Sequence, residues 1–330
     1  MGKICKKCVL PESKPYVWLN GKGICNICSN YENKKSKILE TDFIKLLNKH
    51  KKKGKYDCLV MCSGGKDSIS ALYYMKKRYK LNPLAFTFDN GFETEQAFDN
   101  VKNAVKALGV DFLFFKTDFM NNMFLKVLET NSKANICHLC SIWYMQLAFD
   151  TAAKYDIPII IAGWTKGQMK CENNTPWNNK KMLAQEYIPM AKVTKEFIEN
   201  YVRKNSQYKN FPLTMEEAVN KARKKHKSVV LSPHWFLPFN EKEKIKIIKE
   251  KLKWKPQKIS YPKGSTNCLL NFISVYNLMK FYGYTHYHIE MSKLIREGII
   301  TRKDAIESLK INFDKRLLNK IAERLGYKFN

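Results

Sequence analysis

A short glycine-rich segment between two apolar runs constrains the fold of this 330-residue chain more than any other feature. The run "YDCLVMC" has the composition of a buried strand, and "DSISALYYMKKRY" has the apolar spacing of a helix. The segment Ser63-Gly64-Gly65-Lys66-Asp67-Ser68 joins them. A strand, a glycine loop and a helix in this order place backbone N–H groups and a helix N-terminus around a phosphate.

The side chains of this loop suit the same ligand. Ser63 and Ser68 can donate hydrogen bonds to phosphate oxygens, and Lys66 can neutralise their charge. The loop lacks the G-x-x-x-x-G-K-[ST] spacing, which excludes the P-loop of the common NTPases. The sequence therefore predicts a phosphate site of another type.

Further strands and helices alternate along the first half of the chain. "NPLAFTFD", "VDFLFFKTD" and "IPIIIAGW" read as strands, whereas "ETEQAFDNVKNAVKALG" and "CSIWYMQLAFDTAAKYD" read as helices. This alternation predicts an α/β fold, with a doubly wound parallel sheet covered by helices on both faces. After about Gly163 the pattern changes to loops and then to helices.

These patterns divide the chain into four regions. Residues 1–32 form a cysteine-rich module, and residues 33–54 a basic helical connector. Residues 55–170 form the phosphate-binding core. Residues 171–330 form a mostly helical region for substrate or partner binding.

Four cysteines in the first region have metal-site spacing. Cys5 and Cys8 form one C-x-x-C pair, and Cys25 and Cys28 form a second. Four thiolates at this spacing complete a tetrahedral Zn²⁺ site, which stabilises a module too small to bury its own core. An iron–sulfur site and free thiols remain the alternatives.

The loop motif SGG-x-DS resembles the PP-loop of the ATP pyrophosphatases. The resemblance implies cleavage of ATP between its α and β phosphates, with pyrophosphate in the loop and AMP transferred to a carbonyl or amide oxygen. It makes Lys66 and Asp67 the catalytic candidates, and implies that Asp67 or Asp89 helps to hold Mg²⁺. The candidate ATP-binding residues are Ser63, Gly64, Gly65, Lys66, Asp67, Ser68, Thr87, Phe88, Asp89 and Gly163.

A second cysteine set follows from the same resemblance. Some PP-loop enzymes hold a [4Fe–4S] cluster with a C-x-x-C pair and a distant third cysteine, and Cys137, Cys140 and Cys268 match that arrangement. A zinc-binding or unliganded pair with an unrelated Cys268 is the alternative. Cys58 and Cys62 are expected in the core, whereas the sequence assigns no role to Cys171.

Across nearly its whole length the chain resembles the N-acetyl sugar amidotransferases of bacterial surface-glycan synthesis. The similarity lies in "ICKKCVLPES", the glycine loop, "TFDNGF", "CHLCS", "IAGW" and "NCLLN". It implies conversion of a sugar acetamido group to an acetamidino group. AMP would activate the amide oxygen, and ammonia from a separate glutaminase partner would displace it. The substrate would be an acetamido sugar, carried on a nucleotide or free.

The alternative is tRNA 2-thiolation by an iron–sulfur-dependent PP-loop enzyme. A net charge of +29 suits tRNA, although only seven of the 59 basic residues are arginine. Related thiolation enzymes usually carry a C-terminal zinc knuckle, and the last residues, "RLLNKIAERLGYKFN", contain no cysteine. A non-enzymatic scaffold is disfavoured by the intact SGGKDS. No apolar run approaches the length of a membrane span, and we expect a cytoplasmic protein.

Overall fold

Five strands form one parallel sheet in the computed structural model. The structure describes residues 2–31, 39–168, 185–238, 240–262, 264 and 267–329. The strand order is β3-β2-β1-β4-β5, and every neighbouring pair is parallel. The strands are β1 Cys58–Met61, β2 Pro83–Asp89, β3 Asp111–Lys116, β4 Ile159–Ile161 and β5 Val229–Leu231.

The predicted parallel α/β class is confirmed, and the sequence predicts four of the five strands. The missed strand is β5, which lies in the region expected to be helical. Its three apolar residues are too short a run to distinguish a strand from a helix segment by periodicity. The proposed boundary between residues 170 and 171 lies outside the described residues, as does Cys171.

Helices cover the sheet and fill the second half of the chain. No helix in the described part of the chain is long and apolar enough to cross a lipid bilayer. The helices are α1 Asn26–Ser29, α2 Glu40–His50, α3 Lys66–Tyr73, α4 Glu95–Leu108, α5 Phe119–Glu129, α6 Ile136–Lys154, α7 Ile188–Phe197, α8 Met215–His226, α9 Glu241–Leu252, α10 Leu270–Tyr282, α11 His286–Arg296, α12 Arg302–Leu309 and α13 Lys315–Glu323.

The strand order places a topological switch point between β1 and β4. The chain continues from β1 to β2 and β3 on one side of the sheet, and from β4 to β5 on the other. Loops leave neighbouring strands in opposite directions at such a point and open a crevice at the carboxyl edge. The glycine loop follows β1 and therefore lies in this crevice.

The cysteine-rich module packs on the C-terminal helices. The Val9 backbone N–H donates to Ser292 Oγ at 3.3 Å. Arg302 donates to the backbone oxygens of Cys8 at 2.9 Å and Cys5 at 3.2 Å. Leu10 shares a buried apolar cluster with residues of α10 and α11. Residues 2–31 are thereby attached to α10, α11 and the start of α12.

Candidate active site and metal centres

The glycine loop approaches neighbouring segments too closely for any side chain. Gly64 has φ +80°, and a Cβ at this position would lie 2.2 Å from Ala97 O. A Cβ at Gly65 would lie 2.6 Å from Asn267 Nδ2. The loop is therefore packed directly against α4 at Ala97 and against Asn267, an approach that glycine permits.

The two serine hydroxyls of the loop lie side by side. Their Oγ atoms are 3.2 Å apart, and the Ser63 backbone N–H donates to Ser68 Oγ at 3.1 Å. At the end of β4, a Cβ on Gly163 would lie 2.7 Å from Ser68 N. The structure therefore brings Ser63, Ser68 and Gly163 into one crevice.

The carboxylate of Asp67 is held between two lysines. Lys66 Nζ lies 3.2 Å from Asp67 Oδ2, and Lys244 Nζ, from α9, contacts Asp67 Oδ1. His234 Nε2 donates a hydrogen bond of 2.9 Å to the Asp67 backbone oxygen. Lys66 Nζ also donates to Gly264 O at 3.4 Å. Residues from the second half of the chain thus surround the loop.

Burial and neighbouring charges shift the pKa values of Asp67 and Lys66 in opposite directions. Burial raises the pKa of Asp67, but the charges of Lys66 and Lys244 outweigh burial and hold that pKa well below its usual range. Burial lowers the pKa of Lys66, but nearby negative charge, chiefly that of Asp67, raises it by more. The net shift of this pKa is upward. The Asp67 carboxylate and the Lys66 ammonium group are therefore both charged at neutral pH.

A pocket opens beside the lysine pair. Lys166 and His234 both contribute to its wall. Behind Thr165, the Glu290 carboxylate accepts the threonine hydroxyl at 3.1 Å. Burial raises the pKa of Glu290 to about 7. The pocket is lined by Tyr74, Thr165, Lys166, His234, Leu237, Pro238, Asn240 and Lys244.

The three candidates at the end of β2 differ in their placement. Thr87 donates its hydroxyl to Cys62 O at 2.6 Å, directly before the glycine loop. The ring of Phe88 packs in the core, 5.7 Å from the ring of Tyr144. Asp89 is buried and accepts a backbone hydrogen bond within its own turn. Phe88 can therefore offer a ligand only its backbone.

Two cysteines of the second set contact one asparagine, and the third contacts another. Asn90 Nδ2 donates to Cys140 Sγ at 3.3 Å and to Cys268 Sγ at 3.5 Å. The Cys137 thiol points to Asn271 Oδ1, 3.6 Å away. The two cysteines of the C-x-x-C pair lie in the first turns of α6, as predicted. The fold thus brings three distant cysteines to one region.

This cysteine centre adjoins the phosphate loop. Asn267 Nδ2 donates to Ser63 Oγ at 3.3 Å, and the next residue is Cys268. Burial raises the pKa of Cys137 to about 11 and that of Cys140 to about 12, so a metal would have to displace their protons. Burial, reinforced by the charge of Asp89, raises the pKa of the neighbouring Glu93 to about 8.

The four N-terminal cysteines form a compact metal-binding geometry. Their sulfur atoms all lie within 4.8 Å of one another, and Cys8 Sγ and Cys25 Sγ are 3.8 Å apart. Tetrahedral thiolates around one zinc ion lie about 3.8 Å apart. The Cys25 backbone N–H donates to Cys5 Sγ at 3.2 Å. The predicted grouping is confirmed, and the donor set fits one tetrahedral ion.

The crevice and its glycine loop define a parallel α/β protein of the nucleotide-binding kind. Residues 57–140 match the family model described as queuosine biosynthesis protein QueC. This segment runs from the start of β1 through the C-x-x-C pair of α6. This match and the SGG-x-DS loop make the core of the chain similar to the PP-loop ATP pyrophosphatase superfamily, whose members are ATP-using enzymes.

Other similarities extend over most of the chain. An uncharacterized protein of Methanocaldococcus jannaschii is 26% identical over 314 residues, covering 92% of each chain. The U34-tRNA thiolase NcsA of Methanococcus maripaludis, solved with its [4Fe–4S] cluster, is 17% identical at a TM-score of 0.38, covering 95% of this chain and 93% of its own. The NMN synthetase of Francisella tularensis is 11% identical at a TM-score of 0.39, covering 86% and 99%. These structural similarities are weak, and none assigns an activity to this chain.

Several residues of these centres are not marked by any local sequence signal. Lys244 is one of many lysines in an amphipathic helix, and Glu290 lies on a helix with no motif. Asn90 lies within the quoted "TFDNGF" and directly follows β2, so its position at a strand end was the one available signal. The missed residues are Asn90, Glu93, Lys244, Asn267 and Glu290.

A glycine substitution tests the close approach at the loop. Gly64→Ala should reduce the free energy of unfolding well beyond the cost of a positive φ, because its Cβ would overlap Ala97 O. Gly109→Ala is the matched control, since Gly109 has φ +58° and open space around it. We expect about 1–2 kcal/mol for Gly109→Ala and a larger loss for Gly64→Ala in urea denaturation. Equal losses would contradict the close approach.

Metal analysis tests the N-terminal site. Cys25→Ser should remove the bound metal and lower the thermal midpoint by several degrees, because the module depends on the ion for its fold. Cys58→Ser alters a cysteine buried in β1 and should leave the metal content unchanged. Elemental mass spectrometry of the purified proteins decides the point and also identifies zinc or iron. Full metal retention in Cys25→Ser would exclude the four-cysteine site.

Proposed function

We propose that this chain transfers AMP from ATP to a carbonyl oxygen of its substrate and then replaces that oxygen by a nucleophile. The observation that carries the proposal is the adjacency of the two centres. Asn267 contacts Ser63 of the phosphate loop, and the following residue, Cys268, belongs to the cysteine centre. Activation and replacement at one carbonyl carbon require such neighbouring sites.

The residues of the loop suit the first half of this reaction. The substrate oxygen attacks the α-phosphorus, and pyrophosphate leaves with the electron pair of the broken P–O bond. Ser63, Ser68 and the N-terminus of α3 bind the departing oxygens, and Lys66 and Lys244 offset their charge. Asp67 keeps both ammonium groups in position. Mg²⁺, which Asp67 or Asp89 would help to hold, would supply further charge stabilisation at the phosphates.

In the second half, the nucleophile attacks the activated carbon and AMP leaves with the former carbonyl oxygen. The cysteine centre lies where this nucleophile would be held. Among the described residues, only the four N-terminal cysteines have all their ligand atoms within 4.8 Å. Cys137, Cys140 and Cys268 are therefore too widely spaced for a single tetrahedral ion. A [4Fe–4S] cluster fits them better, because each thiolate binds a different iron.

One candidate acceptor is tRNA. Three cysteines around a cluster suit sulfur transfer, and the net charge of +29 suits binding of a polyanion. In this reaction, 2-thiolation, sulfide equivalents replace the activated oxygen of a base. The cysteine centre beside the loop is the observation that favours it.

The other candidate acceptor is an acetamido sugar. The order of motifs along the chain, from "ICKKCVLPES" to "NCLLN", favours it. Here ammonia, supplied by a separate glutaminase subunit, replaces the amide oxygen and gives an acetamidino group. The product would enter bacterial surface-glycan synthesis, including lipopolysaccharide.

A two-armed assay distinguishes the acceptors. The iron-loaded protein is incubated with ATP and Mg²⁺, in one arm with nucleotide-linked acetamido sugars and ammonium, in the other with unmodified tRNA and sulfide. We expect acceptor-dependent AMP and pyrophosphate. Mass spectrometry then shows NH in place of O on a sugar, or S in place of O on a nucleoside. Formation of ADP, or no acceptor-dependent AMP in either arm, would refute the proposal.

A charge substitution tests the pyrophosphate site independently of the acceptor. Lys244→Met should weaken binding of inorganic pyrophosphate about tenfold or more, because a charge-assisted contact is lost. Lys249→Met removes an exposed lysine from the same helix and is the matched control. Isothermal titration calorimetry measures both affinities. Unchanged binding in Lys244→Met, or equal weakening in the control, would contradict the assigned position of Lys244.

A further inference from the structure

Glu93 lies directly across from Cys268 in a short antiparallel pairing. The Thr94 backbone N–H donates to Asn267 O at 2.9 Å, and the Leu269 N–H donates to Phe92 O at 2.9 Å. These bonds flank Glu93 and Cys268, which makes them a non-hydrogen-bonded pair. The side chains of such a pair project from the same face with Cβ atoms about 4.5–5.5 Å apart.

The carboxyl group of Glu93 has an unsatisfied atom at this position. Its Oε2 is buried and has no hydrogen-bond partner among the described residues. Glu93 also interacts electrostatically with Cys137, Cys140 and Cys268. A buried carboxyl oxygen without a partner is costly and implies a group that the protein atoms do not supply. The group it faces is the cysteine centre.

The donor set at this centre is three thiols and one carboxyl. A cubane cluster has four irons, and three cysteines can hold only three of them. We infer that Glu93 is the protein ligand of the iron that carries no cysteine. This inference rests on the proposed function, because it requires the iron–sulfur cluster proposed there.

A carboxylate at this iron differs from a fourth cysteine in a useful way. Oxygen is a harder donor than thiolate and is exchanged more readily on iron of a sulfur-rich cluster. The Glu93 side chain can therefore keep the iron in place in the resting protein and yield its position to an incoming nucleophile. The backbone pairing with Asn267 and Leu269 keeps Glu93 beside the loop while this exchange takes place.

A hydrogen bond to sulfur is the alternative role for the Glu93 carboxyl group, without ligation of iron. A protonated Glu93 could donate a hydrogen bond to a cysteine sulfur. Glutamine retains a donor and nearly the same shape, but it loses the anionic oxygen that binds iron. Glu93→Gln therefore separates ligation from hydrogen bonding.

The experiment measures iron retention, not turnover. The full chain, with ⁵⁷Fe, is purified and reconstituted without oxygen as wild type, Glu93→Gln, Glu93→Cys and Glu95→Gln. Glu95 is an exposed residue two positions on and serves as the control. Brief ferricyanide treatment withdraws an electron from the cluster, and the most weakly held iron leaves as Fe²⁺. The three-iron product is quantified by EPR, and the iron sites are resolved by Mössbauer spectroscopy.

We expect Glu93→Gln to form the three-iron cluster several-fold faster than wild type, with Glu95→Gln matching wild type. Glu93→Cys should form it more slowly and give four similar thiolate-bound iron sites, because the side chain reaches the fourth iron. Equal rates in wild type, Glu93→Gln and Glu93→Cys would overturn the inference and leave the proposed function intact. Absence of iron from correctly folded wild type would refute the cluster and the inference together, whereas the pyrophosphate test would still stand. If Glu93→Gln does not fold, the result for Glu93→Cys decides.

Discussion

The architecture of the candidate active site depends on the ion pairs of the partly buried Asp67 carboxylate with Lys66 and Lys244. An isolated buried carboxylate is strongly disfavoured, and Lys66 supplies a partner from the loop itself. Lys244 supplies the second from α9, and the indole of Trp254, beyond the end of that helix, donates to Gly64 O at 3.0 Å. The ion pair therefore fixes the helical half of the chain on the glycine loop. A bound phosphate would compete with Asp67 for the same ammonium groups. Phosphate binding and the packing of the helical half of the chain on the loop would therefore be coupled.

The segment at Asn267 and Cys268 contacts both the glycine loop and the cysteine centre. Successive side chains of an extended segment point to opposite sides. Asn267 therefore reaches Ser63 of the loop, and Cys268 reaches Asn90 on the other side. Pairing with Glu93 holds the segment extended. A helical or disordered segment here would separate phosphate binding from the cysteine centre. The backbone conformation of Asn267 and Cys268 thus sets the distance between the glycine loop and the cysteine centre.

The sequence was informative where the physical cause is local. Continuous apolar runs predicted β1 to β4, and glycines next to serines predicted the loop, because each signal comes from neighbouring residues. Cysteine spacing predicted the N-terminal site and indicated the second set. Prediction from the sequence failed where tertiary packing selects the residue. Lys244 lies in "EKEKIKIIKEKL", in which every lysine has the sequence context of a solvated side chain, and only the packing of α9 on α3 selects this one. Glu93 likewise becomes notable only through its pairing with Cys268.

The two metal centres would stabilise the chain in different ways. The N-terminal ligands close a loop of modest length, from Cys5 to Cys28, within one module. A cluster held by Cys137, Cys140 and Cys268 would join segments separated by more than a hundred residues. The entropy lost on closing a flexible loop grows with its length, so the longer connection restricts the unfolded chain more. It also joins α6 to the segment that carries Asn267. Occupancy of the cysteine centre would therefore favour the same packing of the helical half on the glycine loop that the Lys244–Asp67 ion pair favours. Cluster assembly would in this way be linked to the formation of a competent ATP site.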